Sequence, residues 1–334
     1  MAAPMIPPES APEFLASHGW AGADIRPLAG DASFRRYFRV HKGGETAVLM
    51  DAPPKHEDLG PFLKVTDHLL DRGFSPPRPL AVDRATGLLL LEDFGDERVG
   101  KVLQREPQRE REIYQSAVDI LTRLASQAAP ADLPPYDQEA MSREVDLFIQ
   151  WYAPALSLDV DQGSYVRAWQ QTWADVLDMV DANPVLALRD YHADNLMVLP
   201  GRRELGLLDY QDALAGHAAY DLVSLLQDAR RDVTPALEEE MIGHYAAGAN
   251  VTDLTRFRAH YEILGAQRNT KILGIFTRLW KRDGKAHYLA LQPRVWGYLE
   301  RNLRHPALQA VRAWFEANVP EKSRAVAWAG DIST

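Results

Sequence analysis

The sequence predicts an α+β protein of two unequal lobes, a small β-rich N-terminal lobe and a larger helical C-terminal lobe. Short apolar runs separated by turn residues fill Ile25 to Phe94, the pattern of strands and hairpins. Beyond Asp96 the apolar residues recur with the 3.6-residue period of helices. The 334 residues also exceed one domain of roughly 150. The change of period near Phe94 sets the expected division at 1–94 and 95–334. A short link between two such lobes would leave a cleft, a common place for ligands.

The elements follow in order. Residues 1–12 are Pro-rich and read as a loose lead-in. Strands are expected at 25–28 and 34–40, separated by the small polar turn 29–33. Gly43-Gly44 signals a hairpin returning through 46–50, a register that sets Met50 opposite Tyr37. Residues 58–72 form an amphipathic helix stopped by Gly73, with Leu59, Phe62, Leu63, Leu69 and Leu70 on one side. Two more strands lie at 78–82 and 88–92, joined by the turn 83–87. Helices then follow at 110–127, 141–152, 165–180, 220–229, 235–247, 254–280, 288–303 and 306–318. A β-hairpin, preceded by 185–188, interrupts them.

Composition excludes several classes of function. With no cysteine, disulfide frameworks, thiolate metal sites and thiol catalysis are ruled out. Lys and Arg number 37 against 47 Asp and Glu, a net charge of −10. Nucleic-acid binding needs clustered cations, so no nucleic-acid partner is expected. The longest apolar run, Leu88 to Leu91, is far below membrane-spanning length. The first residues lack the basic and apolar regions of a signal peptide, so a cytoplasmic protein is expected. Nothing calls for a membrane or an obligate protein partner.

The most informative segment runs from Leu186 to Asp212. A hairpin centred on Gly201-Arg202 sets Leu199 against Glu204 and Asn195 against Leu208. Asn195 and Asp209 then share one end of it, an amide oxygen and a carboxylate suited to Mg²⁺ that also holds phosphates. Asp190 precedes them on the loop, placed to accept a hydrogen bond from a substrate hydroxyl. A carboxylate that orients the nucleophile, beside two metal-holding groups, is what a phosphotransferase needs. The D-x-x-x-x-N spacing alone also arises in helix caps and Asx turns. The following hairpin with an Asp at its far end makes the combination specific.

Arg189-Asp190 with Asn195, then Leu207-Leu208-Asp209-Tyr210, resembles the catalytic loop and metal segment of the aminoglycoside phosphotransferase/choline kinase family. That family has the protein-kinase-like two-lobed fold. The runs Gly30 to Val40, Val48 to Pro54 and Leu90 to Gly95 are similar to the bacterial anomeric sugar kinases within it. The resemblance implies ATP and Mg²⁺ as cofactors, Asp190 as the catalytic residue, and Asp221 as a structural brace of the catalytic loop. It implies phosphorylation of the anomeric hydroxyl of a small amino sugar, N-acetylmuramate and/or N-acetylglucosamine, in cell-wall (peptidoglycan) sugar recycling. The alternatives are another hydroxyl acceptor (an aminoglycoside, a choline-like or an amino-acid alcohol) or a nucleotide-binding pseudokinase module.

For the nucleotide, the resemblance points to Gly30, Asp31, Ala32 and Ser33 as the phosphate loop and to Glu92 and Phe94 in the link between lobes. Met50 stands where kinases of this fold carry a phosphate-contacting Lys, and the next helix offers Lys64 rather than a Glu partner. Arg35 or Arg39 is therefore the candidate source of that charge. On the acceptor side, Arg268 and Lys271 share a helix face and either would suit the lactyl carboxylate of N-acetylmuramate, or serve as surface charge or a structural ion pair. His192 and Asp212 are candidates for sugar hydroxyls. Trp151, Trp169, Trp173, Trp280 and Trp296 offer ring faces for a sugar, or core. G-x-S-x-G, H-E-x-x-H and G-x-G-x-x-G are all absent.

Overall fold

The computed structural model describes residues 5–30, 34–202 and 204–324. The chain forms two compact units, residues 1–105 with 194–212 and residues 106–193 with 213–334. Phe94 lies inside the first.

In the first unit five strands, β1 (Asp24–Gly30), β2 (Arg36–Lys42), β3 (Glu45–Asp51), β4 (Pro79–Asp83) and β5 (Leu88–Glu92), form an antiparallel sheet in the order β1-β2-β3-β5-β4. Gly43 and Gly44 both take positive φ, the requirement of a two-residue turn matched to the sheet's twist. The turn fixes the β2–β3 register with Tyr37 opposite Met50, as the sequence indicates. Alternate residues Phe38, Val40, Ala47, Leu49, Leu88 and Leu90 turn to one face and are buried there. Helix α1 (Ala11–Ser17) covers that face with Phe14 and Leu15. The loose lead-in expected over 1–12 is thus a docked helix from Ala11 on. Its seven residues, fewer than two full turns, are too short to show a period beside the prolines of the lead-in. Helix α2 (Leu59–Asp71) is capped by Asp58, whose carboxylate accepts from Gly60 N at 2.8 Å, and buries Leu59, Phe62, Val65 and Leu69.

After helix α3 (Val99–Arg105), the first unit is completed by a distant piece of chain. Leu196–Met197 pairs antiparallel with Gly206–Leu207, Leu196 facing Leu207, in the register expected from a turn at Gly201. Leu207 N donates to Ser75 O at 2.9 Å and Val198 N to Glu97 O at 2.8 Å, stitching the hairpin to the sheet's own unit. Gly206 is required by packing. A Cβ there would sit 2.7 Å from Phe94 Cε2.

The second unit is helical: α4 (Glu110–Ala125), α5 (Gln138–Leu147), α6 (Ala153–Ala155), α7 (Gln162–Ala182), α8 (Ala219–Leu226), α9 (Pro235–Gly248), α10 (Leu254–Asp283), α11 (Gln292–Asn302) and α12 (Gln309–Asn318). The helix expected over 141–152 ends at Leu147 and widens into a π-turn, Phe148–Tyr152. A short ladder, Val185–Ala187 against Leu214–Gly216, was not foreseen because three-residue strands carry no period. The long α10 is the spine, packed by α5, α8 and α11. At Gly274 a Cβ would lie 2.4 Å from the Leu147 carbonyl carbon, so only glycine admits the α5 crossing.

Trp169, Trp173 and Trp296 are each 1% exposed and belong to this core, not to a sugar-stacking surface. Below α8, Ala219 N donates to His217 Nδ1, His217 Nε2 meets His260 Nδ1 at 2.9 Å, and His260 Nε2 meets Asp175 at 2.6 Å. Burial drives the His217 pKa down to about 3, so it is neutral. Among the described residues no helix is long and apolar enough to cross a membrane.

Candidate active site

A cavity of about 470 Å³ opens within the first unit. Leu28, Val48 and Leu91, on strands whose other face makes the core, give it apolar walls, and Met197 and Leu208, from the hairpin, give it an apolar floor. Glu92, Asp93, Phe94, Lys101, Asn195 and Asp209 supply its polar rim. An apolar cavity of this size rimmed by a few polar and charged groups suits a heteroaromatic ring carrying a polar tail.

Asn195 and Asp209 meet at one end of this cavity, Asn195 Nδ2 lying 3.4 Å from Asp209 Oδ2. Leu208 N donates to Asn195 O at 2.9 Å, which locks the two strands where the pair sits. Asp209 has φ +57°, a strained setting for a residue with a side chain, and one that structures keep at functional positions. Tyr210 next to it anchors the loop: its ring stacks on Phe62 at 5.4 Å and its hydroxyl meets Thr66 Oγ1 at 2.8 Å. Gln211 Nε2 donates to Asp209 Oδ1 at 2.8 Å. The donor set fits Mg²⁺, since a half-turn of the Asn195 amide sets its oxygen beside the carboxylate. Among the described residues no cluster of three or more His, Cys, Asp or Glu competes as a metal centre.

In the second unit, the loop bearing Asp190 is held by α8. Asp221 is 4% exposed and accepts from Leu188 N and Arg189 N, both at 2.7 Å. Burial raises its pKa to about 6, against the pull of those two bonds. Arg189 is fixed at φ +71°, which turns the chain sharply just before Asp190. Asp190 is half-exposed. Enclosure alone would raise its pKa, but Lys271, Arg268, His192 and Arg189 outweigh that and keep it ionised, below the ordinary value.

The acceptor-side candidates separate on inspection. Arg268 Nη2 lies 3.9 Å from Asp190 Oδ1, with Arg268 itself 5% exposed. Lys271 instead reaches buried Glu144 at 2.7 Å, which also pairs with Arg189 and accepts from the Tyr136 hydroxyl at 2.6 Å. His192 is buried, its Nε2 3.3 Å from Arg230 Nη1. Asp212 stands in the first unit, 3.4 Å from Gln211 Nε2. Of the nucleotide-side candidates, Gly30 ends β1 opposite Arg36, while Asp31, Ala32 and Ser33 lie outside the described residues. Arg35 is buried with Nε 3.6 Å from Glu57, which precedes the Asp58 cap of α2. Arg39 is gripped by Asp93 at 2.8 Å, Asp96 at 2.9 Å and Gly95 O at 3.0 Å.

The sequence profile of the phosphotransferase enzyme family matches residues 24–260. The chain belongs to that family. It is a phosphotransferase, and both nests of geometry above fall inside the matched span or on the helix that continues it. A related protein of Caulobacter vibrioides, an N-acetylmuramate/N-acetylglucosamine kinase, is 35% identical over 93% of this chain and 96% of its own length. Among solved structures, a choline/ethanolamine kinase family protein of Mesorhizobium loti aligns with a TM-score of 0.61 at 16% identity, covering 91% of this chain and 99% of that one. An aminoglycoside phosphotransferase in a ternary complex with streptomycin and ATP aligns with a TM-score of 0.55 at 12% identity, over 91% and 98%. The phosphotransferase therefore has the protein-kinase-like fold, an antiparallel N-terminal sheet and a helical C-terminal part.

Sequence reasoning missed several parts of this enzyme. Lys101 and Arg98 reach the cavity from α3 and the turn before it, a helix without a caps-and-period signature. Glu144 was overlooked because a lone Glu on an amphipathic helix reads as solvated surface. Its signal was available only in three dimensions, where two cations and a tyrosine converge on it.

Proposed function

We propose that this phosphotransferase transfers the γ-phosphate of ATP to the anomeric hydroxyl of N-acetylmuramate and/or N-acetylglucosamine, giving the sugar 1-phosphate. The observation that carries the phosphoryl-transfer reading is the Asn195–Asp209 pair at the end of an apolar cavity, with both residues positioned by backbone. The choice of acceptor is supported by the name of the Caulobacter relative and its near-complete coverage. The adenine would lie between Leu28, Val48, Leu91 and Met197, with the Glu92–Phe94 backbone at its edge. Asn195 and Asp209 would hold Mg²⁺, which when bound neutralises charge on the phosphates. Arg39 is already engaged by two carboxylates, so Arg35, braced by Glu57, is the candidate for the cation missing at Met50. Asp190 would accept the hydrogen bond of the sugar hydroxyl and, ionised, draw off its proton as the new bond forms. A cytoplasmic place in cell-wall sugar recycling goes with this reading.

The test is Mg²⁺-dependent ATP turnover with N-acetylmuramate, N-acetylglucosamine, choline and kanamycin as acceptors. Acid-labile phosphate on an amino sugar is the expected product, and Asp190→Asn should lose at least about 100-fold in kcat. Preference for choline or kanamycin would transfer the reading to those acceptors, and full activity of Asp190→Asn would remove Asp190 from the mechanism.

A further inference from the structure

Arg268 stands out among the charged groups of the second unit. It is 5% exposed, yet its guanidinium makes no hydrogen bond to any described residue. Its one ion-pair contact, to Asp190, is 3.9 Å long, beyond hydrogen-bonding distance. A buried guanidinium normally has its N–H fork filled, because leaving donors unmet in a partly desolvated site is costly. Its helical neighbour Lys271 shows the filled condition, closed on Glu144 at 2.7 Å. The sequence left Arg268 and Lys271 equivalent. The structure separates them, and Arg268 is the one with donors to offer beside the candidate catalytic carboxylate.

The charges around it decide what those donors receive. Arg268 already acts on two carboxylates, Asp190 and the buried Asp221, and lowers the pKa of both. A ligand carboxylate brought to the same guanidinium would face both of these anions at short range. A neutral oxygen acceptor would not. If Asp190 receives the anomeric hydroxyl, the substituent one ring carbon away is the group at C2, which in both proposed acceptors is an acetamido group with a carbonyl oxygen. We propose that Arg268 donates to the carbonyl of the 2-acetamido group and is the residue by which the enzyme selects 2-acetamido sugars over sugars with a free 2-hydroxyl. This rests on the reading of Asp190 and the amino-sugar acceptor given above. It places selection on the group the two sugars share, and so accounts for one site accepting both.

The experiment compares N-acetylglucosamine, N-acetylmuramate and glucose as acceptors for the full-length enzyme, Arg268→Met and Arg268→Lys, at saturating ATP and Mg²⁺, with thermal denaturation of each variant. The wild type should favour N-acetylglucosamine in kcat/KM. Arg268→Met should lower that preference by about 10- to 100-fold, the scale of one hydrogen bond from a charged donor. Arg268→Lys, which keeps the charge without the fork and guards against a folding defect in the Met variant, should lie between. If Arg268 merely supported Asp190, both sugars would lose rate alike and the ratio would hold, which would overturn the proposal. A loss confined to N-acetylmuramate relative to N-acetylglucosamine would move Arg268 to the lactyl carboxylate and overturn it too. A wild type that turns over neither sugar refutes the parent reading, an outcome distinct from an unchanged ratio in an active enzyme.

Discussion

Replacing Asp221 separates what the Asp190 loop needs for stability from what the proposed mechanism needs for activity. In Asp221→Ala two backbone N–H groups, of Leu188 and Arg189, lose an acceptor 2.7 Å away in a buried setting. Hydrogen bonds to a charged acceptor contribute about 1.5–3 kcal/mol each, so the loss is about 3–6 kcal/mol. Against this, the folded pKa of about 6 lies above the ordinary 3.8, so keeping Asp221 ionised at neutral pH already costs the fold about 3 kcal/mol. The net destabilisation at pH 7 is then only about 0–3 kcal/mol. The sign of the pH dependence follows from the raised pKa. Between about pH 4 and pH 6 the folded state holds a proton that the unfolded state has released, so this group's contribution falls as pH rises and is level above about pH 7. Urea denaturation of wild type and Asp221→Asn at pH 4, 5, 6 and 7.5 should show the wild type losing about 2.5 kcal/mol relative to the variant over that range. Activity should respond differently. Without Asp221, Arg189 has no reason to stay at φ +71°, and the orientation of Asp190 goes with it, so kcat of Asp221→Ala should drop at least about 100-fold. A stability difference flat in pH would refute the electrostatic argument. A folded Asp221→Ala with near-normal kcat would refute the bracing role.

Two further perturbations probe the two units separately. Gly206→Ala drives a methyl group into the Phe94 ring, 2.7 Å from Cε2, and should raise KM for ATP about tenfold or more with a smaller change in kcat, read by steady-state kinetics. Lys271→Met leaves buried Glu144 with Arg189 as its remaining cation and should destabilise the fold by about 3 kcal/mol in urea titrations. A neutral result there would mean the Glu144 charge is compensated from elsewhere.

The strand register and the pairing of Asn195 with Asp209 were readable because short-range chemistry decides them. Two glycines at 43 and 44 allow one turn, which places Met50 opposite Tyr37, and the turn at Gly201 brings Asn195 level with Leu208 in the same way. Lys271 and Arg268 were not separable in sequence, since i, i+3 spacing on α10 says they share a face but not what faces them. Glu144, the residue that tells them apart, lies on another helix. The tryptophans show the same limit: helical spacing is shared by core and by ring-stacking surface, and only burial distinguishes the two. Helix α1 was lost to the opposite cause, being shorter than the window over which a period can be seen.

The cavity of the first unit takes its walls from residues 28–101 and its floor from residues 195–211, with the chain of the second unit intervening. During synthesis the five strands therefore emerge long before the floor exists, and the apolar wall residues Leu28, Val48 and Leu91 must wait uncovered for Met197 and Leu208. Because Asn195 and Asp209 arrive on the same hairpin as that floor, the slot and the proposed metal site are completed together. A nascent chain released before Asn195 thus carries the apolar walls but neither the floor nor the Asn195–Asp209 pair.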